Sequence, residues 1–178
     1  RCVQPDDPES NYFQALQLLL GPVNVPQENI FRVKGELEPL ESARDYIERL
    51  KSLATDGATA PVFDLIFLGL GSDGHTASIF PGSPLNDEVP VLAVSGNYQG
   101  RPANRVTFTP MLINYARNLV FMATGADKAS ALVATLAGSA DLINYPAQRI
   151  MPSNGNIFWL VDEAAAGMLP GHLDQFEM

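Results

Sequence analysis

Apolar positions follow two rhythms along this chain, and the rhythms alternate. Residues 10–20, SNYFQALQLLL, are apolar at helical spacing behind Ser10, a residue type whose hydroxyl caps helix N-termini. Gly21 and Pro22 end that segment. Residues 39–53, PLESARDYIERLKSL, open with Pro39 and set Leu40, Ala43, Tyr46, Ile47 and Leu50 on one helical face. After the loop TDGATAP comes VFDLIFLGLG, a continuous apolar run of the kind expected of a strand buried on both faces. VPVLAVSG (89–96) and RVTFT (105–109) read as further strands, and PMLINYA (110–116) as a short helix started by Pro110. NLVFMATG (118–125) predicts a buried strand ending in glycine, DKASALVATLAG (127–138) a helix, and NIFWLVD (156–162) a last strand before the helical EAAAGML.

Helices interleaved with buried strands predict an α/β fold. The expected form is a three-layer α/β/α arrangement, with a Rossmann-like, mostly parallel sheet and helices on both faces. One domain over 1–178 is expected, without internal repeats or low-complexity tracts. In such sheets ligands bind outside the carboxyl ends of strands, which singles out GLGSDGH after the first apolar run and TGADK after NLVFMA.

Composition narrows the partners. The 178 residues are 46% hydrophobic and 17% charged, ordinary for a folded globular chain, and no apolar run is long enough to span a bilayer. A formal net charge of −9 gives no global attraction for nucleic acid or an anionic membrane, so neither is an expected partner. A small anion remains accessible if the few cations converge. Two histidines, His75 and His172, and one cysteine, Cys2, are a poor inventory for a metal site. Cys2 has no internal partner for a disulfide, and a reducing, cytoplasmic setting is the simple reading.

The stretch FLGLGSDGHTASIFPGSP (67–84) admits three readings. Gly69, Gly71 and Gly74 spell G-x-G-x-x-G, the dinucleotide fingerprint, which also wants an acid at the end of the next strand. Ser95 stands at that end instead, while Asp87 and Glu88 precede the strand. Ser72 as a nucleophile paired with His172 is the second reading, but Leu70 replaces the first glycine of G-x-S-x-G. The third makes His75 the working group. The glycines turn the backbone tightly into a helix, GHTASIF, whose first N–H groups face the strand ends. Asp73 then orients the imidazole, which acts as a general base near neutral pH. A capping or packing histidine is the plain alternative.

These residues resemble the signature of the 6-phosphogluconolactonases, within the superfamily that includes the glucosamine-6-phosphate deaminases. The resemblance runs through RCVQPDDPESNY, VPQENIFRVKGEL, the Arg-Val-Thr block of RPANRVTFTPMLINYARNLVFMATGADKA, and IFWLVDEAAA, in the family's order. Deaminases resemble Asp-Gly-His-Ile-Ala-Phe-Asn-Glu-Pro at the histidine, with an acidic residue used in ring opening. Here Thr76, Ala77, Ser78, Ile79, Phe80 and Pro81 follow His75, without the Asn-Glu pair, which favours the lactonase branch.

The resemblance implies hydrolysis of 6-phospho-D-glucono-1,5-lactone to 6-phosphogluconate, the second step of the oxidative pentose phosphate pathway, with no metal or organic cofactor. It implies His75 as base and Asp73 as its positioning group, with backbone N–H groups of Gly71–Gly74 toward the oxyanion. Arg1, Arg105 and Lys128 are the implied phosphate cations; a solvated strand-end charge is the alternative for Arg105, and Arg101 reads as a loop charge. Trp159 reads as core and His172 as surface.

Family members begin well before Arg1, so the chain reads as the C-terminal portion of such a domain. The expected preceding part holds the first strands, a Ser/Gly-rich turn and an Asp-Glu pair. Fusion to, or cooperation with, a glucose-6-phosphate dehydrogenase stays open. So do a non-catalytic sugar-phosphate sensor and a deaminase-like isomerase.

Overall fold

The computed structural model describes residues 1–55, 57–84 and 88–170; Asp87 and His172 lie outside them. The described residues form two compact units. The first is Arg1–Pro61 with Val89–Thr109, and the second is Val62–Glu88 with the chain from Pro110 onward.

In the first unit, Ser10 caps α1 (Asn11–Ala15), its hydroxyl accepting the Phe13 N–H at 3.3 Å. The helix does not continue in α form. Leu16–Leu20 is a π-helix that ends when Gly21 N–H donates to the Leu16 carbonyl, and Leu18 and Leu19 stay exposed. The second helix, α2, spans Pro39–Leu53, the range read from the sequence. Its buried face carries Ser42, Ala43, Tyr46 and Leu50, whereas Leu40 from the expected stripe points to solvent. Strands β2 (Val91–Ser95) and β3 (Asn104–Phe108) pair antiparallel, Val91 opposite Phe108, and α2 packs on them. Tyr46 stacks on Phe108 with ring centroids 6.1 Å apart and donates its hydroxyl to the Phe31 carbonyl.

The second unit holds a parallel sheet in the order β1–β4–β5, with β1 at Ile66–Gly69, β4 at Asn118–Ala123 and β5 at Asn156–Val161. Leu119, Phe121 and Ala123 of β4 are buried, and Phe121 stacks on Trp159 across the register at 4.0 Å. Trp159 is thus a packing residue of the sheet. Burial along the sheet differs from the expected strands buried on both sides: Phe67 of β1 and Met122 of β4 alternate with buried neighbours and are exposed, as are Phe158 and Leu160 of β5. Among the described residues the unit carries the short α-helices α3 (Pro110–Ile113), α4 (Ala129–Leu136) and α5 (Glu163–Ala166). Deep in it, Leu132 and Ile113 are fully buried, and truncating either to alanine costs about 2–5 kcal/mol.

No helix among the described residues is long and apolar enough to cross a membrane. The α/β class and the mostly parallel sheet expected from the sequence are those of the structure.

Candidate functional site

Two turns leave the carboxyl edge of the parallel sheet side by side, since Gly69 of β1 is in register with Met122 of β4. The turn after β1 is locked by its own hydrogen bonds. Gly71 N–H donates to the His75 carbonyl at 2.8 Å, Gly74 N–H to the Gly71 carbonyl at 3.0 Å, and Thr76 Oγ1 to the Gly69 carbonyl at 2.9 Å. Thr76 is fully buried, so that last bond ties the turn back to its strand.

Inside this loop Asp73 Oδ1 accepts the His75 backbone N–H at 3.1 Å and lies 2.6 Å from His75 Nδ1. A carboxylate only accepts, so the Nδ1 position carries the hydrogen, and in the neutral imidazole the lone pair then sits on Nε2. The imidazole side chain is 12% exposed, with the Phe80 ring tilted against it at 4.8 Å. Burial, a fixed ring and a chosen tautomer are what a base needs.

The glycines serve shape, for different reasons. A Cβ on Gly71 would lie inside the imidazole's contact envelope and 2.5 Å from Asp73 Oδ1. Gly74 has φ +82°, and a Cβ there would lie 2.7 Å from the Tyr145 ring. Nothing lies within 4 Å of a Cβ built on Gly69. Two expectations change here. The N–H groups of Gly71 and Gly74, read as oxyanion donors, are both engaged within the turn. The helix expected over GHTASIF is absent: Thr76 and Ile79 form an isolated antiparallel bridge, and Ala77 takes φ +50°, which no right-handed helix accommodates. The nucleotide reading also loses its frame, because β2, the next strand in sequence, pairs antiparallel with β3 rather than parallel with β1.

A segment that the sequence reading passed over holds the turn from outside. Ala147 N–H donates to the Gly74 carbonyl at 3.1 Å, and Gly82 N–H to the Ile143 carbonyl at 2.9 Å. Arg149, 7% exposed, donates to the carbonyls of Leu142, Ser83 and Pro84 at 2.7, 2.9 and 3.2 Å. Its only signal in the sequence is an arginine next to the apolar Ile150.

The turn after β4 is held differently. Asp162, at the end of β5, accepts Gly125 N–H with both carboxylate oxygens at 3.0 Å and caps α5 through Ala165 N–H at 2.8 Å. Gly125 sits at φ +94°, and the chain then makes a 3₁₀ turn, Ala126–Lys128, before α4. Lys128 Nζ is 2.9 Å from Asp127, its side chain 19% exposed.

Arg1 and Arg105 belong to the first unit. Arg105 is 5% exposed, not a solvated strand-end charge, and its Nε donates to the Pro102 carbonyl at 3.1 Å. Burial and the positive field of Arg101 lower its pKa. Arg1 Nη1 meets Glu9 Oε2 at 3.0 Å and lines a cavity of about 450 Å³ with Tyr12, Asn29 and Arg32. Among the described residues, no group of three or more His, Cys, Asp or Glu is placed to hold a metal ion.

A parallel α/β unit with a histidine–carboxylate turn and a lysine turn on one sheet edge defines the class: an α/β protein with two loops at its strand ends, the place where such sheets bind their ligands. The chain belongs to the glucosamine-6-phosphate isomerase/6-phosphogluconolactonase family, whose model matches residues 1–159. It is 38% identical over 169 residues to the 6-phosphogluconolactonase of Haemophilus influenzae, covering 95% of this chain and 71% of that one. Against the 6-phosphogluconolactonase of Synechocystis it is 41% identical over 167 residues, covering 93% and 68%. The solved structure of 6-phosphogluconolactonase from Trypanosoma brucei superposes with a TM-score of 0.83 at 34% identity, over 96% of this chain and 72% of that one.

Proposed function

We propose that the protein hydrolyses 6-phospho-D-glucono-1,5-lactone to 6-phosphogluconate, with His75 as general base. The observation that carries this reading is the 2.6 Å contact between Asp73 Oδ1 and His75 Nδ1, which leaves the lone pair on Nε2. Kinship with lactonases supplies the substrate class.

The chemistry asks little beyond a base and charge stabilisation. His75 Nε2 takes a proton from water as the water oxygen bonds to C1, and the carbonyl electrons move onto oxygen. The oxyanion collapses, the bond from C1 to the ring oxygen breaks, and the imidazolium returns its proton to that oxygen. Asp73 holds the ring in one tautomer and offsets the positive charge that develops on it. Lys128, Arg1 and Arg105 are the cations offered to the phosphate. In this reading the protein works in the cytoplasm, downstream of a dehydrogenase that oxidises glucose 6-phosphate to the lactone.

The test is consumption of freshly made lactone above its spontaneous rate, by the protein carrying this chain and by its His75→Ala variant. A loss of about 10²–10⁴-fold in the variant, with 6-phosphogluconate binding retained, is the expected result. Sugar-phosphate binding without turnover by the unaltered protein would replace the enzyme with a sensor. Ammonia release from glucosamine 6-phosphate would move it to the deaminase branch.

A further inference from the structure

Within the first unit, one carboxylate oxygen serves two guanidinium groups. Glu9 Oε2 is 3.0 Å from Arg1 Nη1 and 3.9 Å from Arg101 Nη1. Arg1 Nη1 also donates to the Glu9 backbone carbonyl at 2.8 Å. Arg105, buried on β3, feels the same charges: Arg101 and Glu9 act on it, and Arg1 feels both Arg101 and Arg105. Three arginines therefore share a neighbourhood in which Glu9 is the carboxylate that acts on both Arg1 and Arg105.

That arrangement is unfavourable taken alone. The chain carries 20 acidic against 11 basic side chains, so its few cations could have been distributed among abundant acids. Instead three like charges are gathered, two of them on largely buried side chains. Arg1 Nε is moreover buried with no hydrogen-bond partner, a donor left without an acceptor. The Glu9 carboxylate engages Arg1 and, at the longer distance of 3.9 Å, Arg101, while Arg105 donates to the Pro102 carbonyl. One carboxylate oxygen shared between two guanidinium groups offsets only part of their charge, and it leaves Arg1 Nε without an acceptor. A phosphate monoester suits the two guanidinium groups that meet Glu9 Oε2 better than one carboxylate does, because it brings three acceptor oxygens and a charge near −2.

We infer that Glu9 is a built-in stand-in for the ligand's phosphate, holding Arg1 and Arg101 poised until a phosphate monoester takes its place, and that Arg101 is a binding residue rather than a loop charge. The inference rests on the sugar-phosphate reading above only for the identity of the anion. Glu9 neutralises part of the cluster in the empty site. When the ligand enters, the Glu9 side chain, 45% exposed, swings into water while its backbone carbonyl keeps Arg1 in position.

The experiment titrates the protein with inorganic phosphate and with 6-phosphogluconate at fixed ionic strength, for the unaltered chain, Arg101→Gln and Glu9→Gln. Both side chains are close to half exposed, so neither substitution threatens folding. Arg101→Gln is expected to weaken both ligands by roughly tenfold, the loss of one charge-assisted contact. Glu9→Gln is expected to tighten both by about three- to tenfold, because the competitor loses its charge while an acceptor of the same shape remains. A merely structural Glu9 gives the opposite sign, since weakening the Arg1 pair would loosen the site. Unchanged or weaker binding in Glu9→Gln overturns the stand-in role, and unchanged binding in Arg101→Gln overturns its membership of the site. If both variants shift phosphate affinity as expected while lactone is not hydrolysed, the anion site stands and the lactonase reading falls. If lactone is hydrolysed and neither variant shifts affinity, this inference falls alone.

Discussion

The turns after β1 and β4 occupy equivalent places on one sheet edge, yet each needs its glycine for a different reason. Gly71 has no Cβ because the imidazole of His75 and the carboxylate of Asp73 fill that space. Gly125 lacks one because its backbone sits at φ +94°, ψ 148°, a region that L side chains almost never enter. The first turn is closed by three hydrogen bonds of its own, braced by Ala147 N–H on the Gly74 carbonyl, and carries the proposed base and its partner in its own side chains. The second is clamped from another strand, through Asp162, and presents Lys128 at the end of a 3₁₀ turn. One glycine protects the geometry of the His75–Asp73 pair, the proposed base and its partner, the other the path of the chain. The same substitution should therefore damage catalysis in one turn and stability in the other.

Gly71→Ala tests the first half and should have the larger effect. The methyl group displaces side-chain atoms of His75 and Asp73, which can rotate away, rather than backbone, which cannot. Folding should be little changed, while lactone hydrolysis falls by about 10²-fold or more, because a base moved by an ångström no longer reaches its water. The check is a rate measurement beside a thermal melt. An unchanged rate would mean that the close approach at Gly71 has no bearing on the reaction.

Gly125→Ala comes next. The strained dihedral should cost about 1–3 kcal/mol of stability, read as a lower denaturant midpoint at constant slope. Turnover of the remaining folded protein should fall less than in Gly71→Ala, since His75 and Asp73 are untouched. A collapse of turnover equal to that of Gly71→Ala, with no loss of stability, would erase the distinction between the two turns.

The first turn was far more legible in the sequence than what surrounds it, and the reason is range. Asp73, His75 and the glycines interact over at most a few residues, so spacing alone sets them together. Likewise α2 announces itself through Pro39 and a stripe that repeats every turn. The expected helix after His75 failed because TASIF has helical apolar spacing, while the left-handed Ala77 leaves no compositional trace. The π-helix at Leu16–Leu20 hides in a leucine run that reads equally well as ordinary helix. Arg149, Arg101 and Asp162 were missed or undervalued because their partners are set by the fold. Arg149 finds carbonyls at Ser83 and Pro84, and Arg101 finds Glu9 from the opposite end of its unit. Asp162 is readable as the cap of EAAA, but not as the acceptor for a backbone N–H 37 positions earlier.

Asp162 offers the finest division between the turns. Its carboxylate does two jobs, capping α5 and fixing Gly125, and substitutions separate them by degree. Asp162→Asn keeps one carbonyl oxygen, enough for the cap, since asparagine caps helices about as well as aspartate. It cannot offer two equivalent oxygens to Gly125. Asp162→Ala loses both jobs and should cost about 1 kcal/mol of stability through the cap alone. If the clamp positions Lys128, then Asp162→Asn should raise KM for the lactone a few-fold with kcat and melting temperature nearly unchanged. A purely structural Asp162 would instead make KM insensitive in both variants, with only Asp162→Ala melting earlier. Whether KM rises or stays put decides whether the second turn, clamped through Asp162, is part of the ligand site or only of the fold.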